Sequence, residues 1–317
     1  MLILVTGRDG QLARSLAERA ANLPGLSLQR IGRPELDLER PESIGSAIAA
    51  AAPDVVVNAA AYTAVDQAEA EPDRAFRING AAAGEVAAAA RRAGARVVQV
   101  STDYVFDGTG EGAYAETAPT RPLGVYGRSK LAGELSAAEA NPDHVVLRTA
   151  WVYSAHGRNF VRTMLGAAAQ RDELKVVADQ HGNPTASDDL ADGILAMVAA
   201  WRDRPRLGLG ATYHLAGTGE ASWFDFAGHI LAEAERLGLP SARVRPIRTE
   251  EWPTPAARPA NSRLDCGRFE ADFGFRAPHW RLSSTKVIER LADERRPGLD
   301  PASMNANGRQ SVPGTEM

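Results

Sequence analysis

The chain opens with a strand, a glycine turn and a helix in immediate succession, and this opening restricts the fold more than any later segment. Leu2 to Thr6 is a short apolar run, as expected of a strand buried on both faces of a parallel sheet. Gly7-Arg8-Asp9-Gly10-Gln11-Leu12-Ala13 follows, and a helical pattern continues through Leu16 and Ala20. The glycines allow a tight turn and close backbone approach. The helix N-terminus behind them offers N–H groups and a positive dipole end to an anion such as a pyrophosphate. A parallel strand reaches its neighbour only through a crossover, so strands and helices should alternate along the chain. They do. Leu26 to Ile31, Val55 to Asn58, Arg96 to Val100 and His144 to Leu147 read as strands. Between them lie helical stretches: one opening at Pro41, one holding Asn79 and the Ala-rich 81–93, and one carrying Tyr126 and Lys130. The fold class is α/β, a Rossmann-type doubly wound parallel sheet with a smaller C-terminal substrate-binding lobe.

At 317 residues the chain can bury a full α/β core. Residues 1–150 read as the dinucleotide-binding domain and 151–296 mainly as the substrate lobe, with some later segments returning to the sheet. Ser187 is placed to cap a helix ending near Trp201, followed by a loop from Arg202 to Gly210, and Ser222 to cap one running to Leu237. The prolines of Trp252 to Arg263 forbid a long regular element there. Such a loop can present Arg258 or Arg263 to a diphosphate. Residues 297–317 are polar and rich in Gly, Pro, Ser and Asn, the composition of a disordered tail. A net charge of −4 and scattered Arg residues argue against a nucleic-acid partner. One cysteine, Cys266, excludes an intramolecular disulfide and a Cys-based zinc site. No window has the apolar length of a membrane span and the N-terminal run is too short for a signal peptide, so a cytoplasmic protein is expected.

Chemistry concentrates at the end of the fourth strand and in the helix beyond it. Arg96 to Val100 delivers Ser101-Thr102-Asp103 to the carboxyl edge of the sheet, where ligands of open α/β sheets bind. Tyr126 and Lys130 stand four apart on one helix face. Lys is scarce here, only three residues among 36 basic ones, so a compact ammonium at this position is a specific choice. An ammonium beside a phenol favours the phenolate and makes the phenol a better proton donor near neutral pH. With a Thr hydroxyl on the same oxygen, this is equipment for reducing a ketone or oxidising an alcohol beside a hydride carrier. Ala59 to Ala61 leave room for a flat group at the end of the third strand. After the second strand, where an NAD site usually places an acid, stands Arg33. It suits a 2′-phosphate, and NADPH is preferred over NADH on that ground.

Seven segments carry a wider resemblance. They are Gly7-x-x-Gly10-Gln11-Leu12, Asn58-Ala-Ala-Ala-Tyr-Thr-Ala-Val-Asp66, Ser101-Thr-Asp-Tyr-Val-Phe106, Val125-Tyr-Gly-x-x-Lys130-Leu-Ala-Gly-Glu134, Arg148-Thr-Ala-Trp-Val-Tyr153, Gly182-Asn-Pro-Thr185 and Pro253-Thr-Pro-Ala-x-Arg-Pro-x-Asn-Ser262. Over roughly residues 1–295 the chain resembles the extended short-chain dehydrogenase/reductases and, more narrowly, the dTDP-4-dehydrorhamnose reductase family. The resemblance implies hydride delivery from NADPH or NADH to C4 of dTDP-4-dehydro-6-deoxy-L-mannose, giving dTDP-L-rhamnose, with Tyr126 donating the proton. It implies that Lys130 holds the nicotinamide ribose and that Thr102 bonds the reacting oxygen. It further implies that Asp103, Tyr104 and Trp151 line the sugar pocket, and that Asn159 and Arg258 meet the diphosphate. Gly7, Gly10, Gln11, Leu12, Asp37, Leu38, Ala61, Tyr62 and Thr63 would contact the cofactor.

The resemblance also implies where this chain departs. Some members are described as dimers bridged by Mg²⁺ through carboxylates, one a Glu in the first helix. Ser15 stands at that position, with Asp188, Asp189 and Asp192 remaining. No bridging metal is therefore expected, and the chain is read as a monomer or homodimer. Two other readings stay open: a non-catalytic NADP-binding regulatory subunit like the β-subunit of methionine adenosyltransferase, and another nucleotide-sugar ketoreductase, epimerase or dehydratase.

Overall fold

The computed structural model describes residues 1–295; the segment 297–317, expected as a disordered tail, lies outside the described residues. Six parallel strands form the central sheet: β1 Leu2–Thr6, β2 Ser27–Ile31, β3 Val55–Asn58, β4 Arg96–Thr102, β5 His144–Thr149 and β6 Ala211–His214. Their order is β6-β5-β4-β3-β1-β2. Every residue of β3 and β5 is buried, whereas the edge strand β2 is buried only at Ile31, which explains why its sequence is the most polar of the six. From β1 the chain steps to β2 on one side and then crosses to β3 on the other. The carboxyl ends of β1 and β3 therefore flank a topological switch point, where such sheets open a crevice. At that edge Thr6, Asn58 and Gln99 lie side by side in register. Thr6 donates to Asn58 at 2.7 Å and Asn58 to Gln99 at 2.7 Å, so the polar side chains at the ends of β1 and β3 are paired with one from the middle of β4.

Helices cover both faces. Gln11–Ala20, Ser187–Asp203 and Gly267–Phe273 pack on one side of the sheet. Pro41–Ala51 and Ala82–Arg92 pack on the other, with Val125–Ala140 beside them. The last two approach closely because small residues line the contact: a β-carbon on Gly84 would stand 3.0 Å from that of Ser136, and one on Gly133 would stand 3.2 Å from that of Ala83. A second apolar core unites Phe160–Ala168, Trp223–Arg236 and Trp280–Arg295 with the parallel pair Glu173–Val177 and Arg243–Ile247.

Local readings differ from the structure in three places. Ser187 is the first residue of its helix, not the cap, and its hydroxyl shares a 2.6 Å hydrogen bond with Ser15. That helix runs on to Asp203, so the loop expected from Arg202 begins later. The stretch around Asn79 is a π-helical turn, Phe76–Ala81, feeding the α-helix Ala82–Arg92; π-turns concentrate at functional sites. Ser222 does cap its helix, in a reciprocal box with Asp225.

Candidate active site

The helix Val125–Ala140, which carries Tyr126 and Lys130, lies along the end of β4. Its N-terminus is capped from a distance: Glu69 accepts the Val125 amide at 2.7 Å, and Gly124 leaves the room, since a β-carbon there would stand 2.6 Å from the Glu69 carboxylate. Successive turns of the helix then meet the strand end. The Thr102 hydroxyl lies near enough to the Tyr126 phenol to favour its ionised form, and Lys130 donates to the Val100 carbonyl at 2.7 Å. Glu134 accepts from Ser101 at 2.5 Å. The structure thus brings together Thr102, Tyr126 and Lys130, and adds Asp103, whose carboxylate accepts from Thr102 at 2.8 Å. Tyr104 sets its ring edge-on to Tyr126, 5.5 Å between centroids.

The electrostatics correct one expectation. The Tyr126 hydroxyl is pushed up to about 12 by burial, with Thr102 opposing and Asp103 reinforcing the rise, and Lys130 is not among the causes. Its ammonium bonds the backbone of Val100 rather than the phenol, and burial brings it down to about 8, opposed by the charge of Glu134. Asp103 is fully enclosed and pushed up to about 6 by burial, partly offset by Thr102 and Ser262, and its Oδ2 is buried without a hydrogen-bond partner among the described residues. An unpaired buried carboxylate oxygen is costly unless a ligand supplies a donor.

Trp151 walls the same space. It is one of two non-glycine residues with positive φ among the described residues, at 49°, a conformation a bulky side chain adopts only when its surroundings impose it. Three segments do so. Ser262 accepts its indole N–H at 3.1 Å. Trp223 stacks on its ring at 3.5 Å. Gly182 gives way to its edge, where a β-carbon would come within 2.5 Å. Ser262 also acts on Asp103, so the segments around 151, 262 and 103 meet in one wall.

At the glycine turn, Gly7 has φ 93° and donates to Ile31 at 2.7 Å, tying the turn to β2. Gly10 precedes the helix Gln11–Ala20 without a side-chain cap, and a β-carbon there would meet nothing within 4 Å. Open space beside uncapped amides fits a dinucleotide pyrophosphate. Gln11 is held by Ser154 at 2.9 Å and by Asn159 at 3.0 Å. Asn159 also accepts the Arg162 amide, so its side chain is committed to organising this turn. Arg258 is likewise engaged, donating to Asp66 at 2.9 Å. Arg33 is exposed beyond β2 and makes no hydrogen bond or ion pair to the described residues, while neighbouring Arg8 pairs with Glu35 at 2.9 Å. Asp37 bonds within its own loop, receiving the Glu39 amide at 3.0 Å, and Leu38 is buried in the core. Ala61 and Thr63 border the crevice after β3; the Tyr62 hydroxyl turns to Glu71 at 3.1 Å.

Sequence reasoning passed over Asn79, Glu69 and Trp223. Asn79 accepts the Tyr62 amide at 2.8 Å and donates to Ser129 at 3.0 Å, joining the segment after β3 to the helix Val125–Ala140. A buried amide inside an Ala-rich helical run is its only sequence signal.

With this geometry in place, the RmlD substrate binding domain model matches residues 1–293. The chain belongs to that family. Among its relatives, the dTDP-4-dehydrorhamnose reductase of Burkholderia thailandensis is 46% identical over 304 residues, covering 93% of this chain and 100% of the relative. That of Sinorhizobium fredii is 44% identical over 288 residues, covering 91% and 97%. A crystal structure of dTDP-4-dehydrorhamnose reductase from Bacillus anthracis in complex with NADP superposes with a TM-score of 0.83 at 34% identity, covering 91% of this chain and 99% of the other. Family membership thus spans both the sheet and the lobe. No helix among the described residues is long and apolar enough to cross a membrane.

Proposed function

We propose that this chain reduces the C4 ketone of dTDP-4-dehydro-6-deoxy-L-mannose to give dTDP-L-rhamnose, using NADPH and, less well, NADH. One observation carries the reading: Thr102, Tyr126 and Lys130 converge at the carboxyl edge of β4, in a sheet whose opening glycine turn fits a dinucleotide. When bound, NADPH supplies the hydride for the C4 carbon. The residues named next supply everything else. Gly7, Gly10, Gln11 and Leu12 hold the pyrophosphate at the helix N-terminus, and Arg33, without a hydrogen bond or ion pair among the described residues, meets the 2′-phosphate. Lys130 donates to the nicotinamide ribose while keeping one bond to Val100. Tyr126 donates to the C4 oxygen, Thr102 turns its one hydroxyl hydrogen from Asp103 to the same oxygen, and the Tyr126 proton passes to it as the alkoxide develops. A phenol held near 12 stays protonated at neutral pH, which a proton donor requires. The orphan Oδ2 of Asp103 accepts a sugar hydroxyl, and Trp151 packs against the ring.

The test is product identity. Incubation with NADPH and enzymatically generated dTDP-4-dehydro-L-rhamnose should give dTDP-L-rhamnose, one per NADPH oxidised, by NMR of the purified product. NADPH binding without oxidation would instead favour a regulatory subunit or another sugar ketone. Tightly retained cofactor that is recycled would point to an epimerase or dehydratase.

A further inference from the structure

Glu134 lies one turn beyond Lys130 on the catalytic helix, and the mechanism above gives it no task. It is among the most enclosed charged groups of the described residues. Its carboxylate takes Arg148 Nε at 2.9 Å and Nη2 at 2.7 Å, with both side chains only 6% exposed, and Ser101 donates at 2.5 Å. A buried ion pair is weak evidence for stability, because two desolvated charges seldom recover their hydration. The arrangement around this one is ordered by position. Tyr126, Lys130 and Glu134 occupy one helix face, and each meets the end of β4: the Thr102 hydroxyl, the Val100 carbonyl and the Ser101 hydroxyl respectively. Arg148 then fastens Glu134 to β5 and lays its guanidinium over the Phe106 ring, 5.2 Å from the centroid, at the far end of the segment that carries Thr102 and Asp103.

We propose that Glu134, clamped by Arg148 and Ser101, is a positioning residue: it is the counter-charge that keeps the Lys130 ammonium charged and registers the catalytic helix on the end of β4. The proposal rests on the reading of Lys130 as the cofactor-side cation. Other charged or titratable groups lie in the elements packed nearby. Asp103 follows β4, Arg148 belongs to β5, His214 to β6, and Arg77 and Glu85 neutralise each other at 2.9 Å beside the catalytic helix. Of all these and Glu134, only Glu134 acts on the ammonium, opposing the effect of burial.

The chain has three lysines, Lys130, Lys175 and Lys286, so labelling at the lysine side-chain carbon gives three NMR titration curves, with Lys130 assigned by its loss in Lys130→Met. In Glu134→Gln the Lys130 titration should fall by about one pH unit, and the basic limb of kcat should fall with it while KM for the nucleotide sugar holds. Should Glu134→Gln fail to fold, because Arg148 is left uncompensated, the double variant Glu134→Gln/Arg148→Met removes both charges and should show a downward shift of smaller size in a folded protein. Lys130 titration curves that coincide with wild type in whichever variant folds would overturn the proposal. Because the NMR curve needs no substrate, a shifted titration in a protein that does not reduce the sugar would support Glu134 and refute the reductase reading alone.

Discussion

The indole of Trp223 lies flat on that of Trp151, with centroids 3.5 Å apart and planes 4° from parallel. Phe160 packs on Trp223 from the lobe at 4.6 Å, so Trp151 is held from the second core rather than from the sheet. Substrate-lobe packing is thereby coupled to the strained backbone at Trp151.

We predict that Trp223→Leu raises KM for the nucleotide sugar about tenfold, roughly 1.4 kcal/mol, by freeing Trp151. The Kd for NADPH should stay within about twofold, since the glycine turn is untouched. Steady-state kinetics and a fluorescence titration of cofactor check both. An unchanged KM would show that Trp151 is held well enough by Ser262 and Gly182.

Acid stability should depend on His214. Its ring is buried edge-on to Phe106, Nδ1 faces the Tyr114 carbonyl at 3.0 Å, and Nε2 has no partner among the described residues. Burial and the Arg148 charge push it down to about 3. Its pKa is therefore lower folded than unfolded, and the unfolded chain binds the extra proton between about 6.5 and 3. Stability is lost as pH falls through that window, by up to about 5 kcal/mol for a shift of this size. Asp103, raised to about 6, works in the opposite direction between about 6 and 3.8, so the wild-type slope is the difference of the two. His214→Asn keeps a donor for Tyr114 and cannot titrate. Urea unfolding between pH 4 and 7.5 should show the variant losing less stability on acidification; identical slopes would contradict the assignment.

Much of this was legible before any coordinates. The strand at Leu2–Thr6, the glycine turn and the Tyr126–Lys130 spacing are local patterns, set by periodicity and by the backbone demands of glycine. Ser222 was readable as a cap because its partner Asp225 is three residues away. What escaped are relationships whose two ends are far apart in the chain. Glu69 caps a helix that starts at Val125, Asn79 reaches Tyr62 and Ser129, and Trp223 meets Trp151 only through the fold. Ser187 misled for the same reason. Its sequence suits a cap, but Ser15 and the close packing of the two helices claim its hydroxyl. The charge state of Lys130 depends on enclosure, which spacing on a helix does not report.

At Ser15 the prediction concerns metal. Its hydroxyl donates to Asp188 at 2.5 Å, and Arg19 takes both oxygens of Asp192 at 2.6 Å, so two of the acids in this region are answered by the chain's own donors. EDTA should leave the mass measured by size exclusion with multi-angle scattering unchanged. A dimer that dissociates on chelation would contradict this and restore a bridging cation.

Cofactor choice is expected to turn on Arg33. Arg33→Ser should weaken NADPH binding about tenfold and leave NADH binding nearly unaltered, because a single charge-assisted contact to a phosphate is lost. Parallel titrations with the two nucleotides check this, and equal weakening of both would place Arg33 elsewhere than at the 2′-phosphate.

The most direct test of the account is the single-turnover rate of Tyr126→Phe with NADPH and dTDP-4-dehydro-L-rhamnose. The phenol proton is the one group the proposed chemistry cannot do without, and a positioned general acid contributes about 10²–10⁴-fold. The rate should fall by at least about a hundredfold while NADPH still binds with near wild-type affinity. A variant that kept most of its turnover would show that the proton comes from elsewhere and that the reading of this site is wrong.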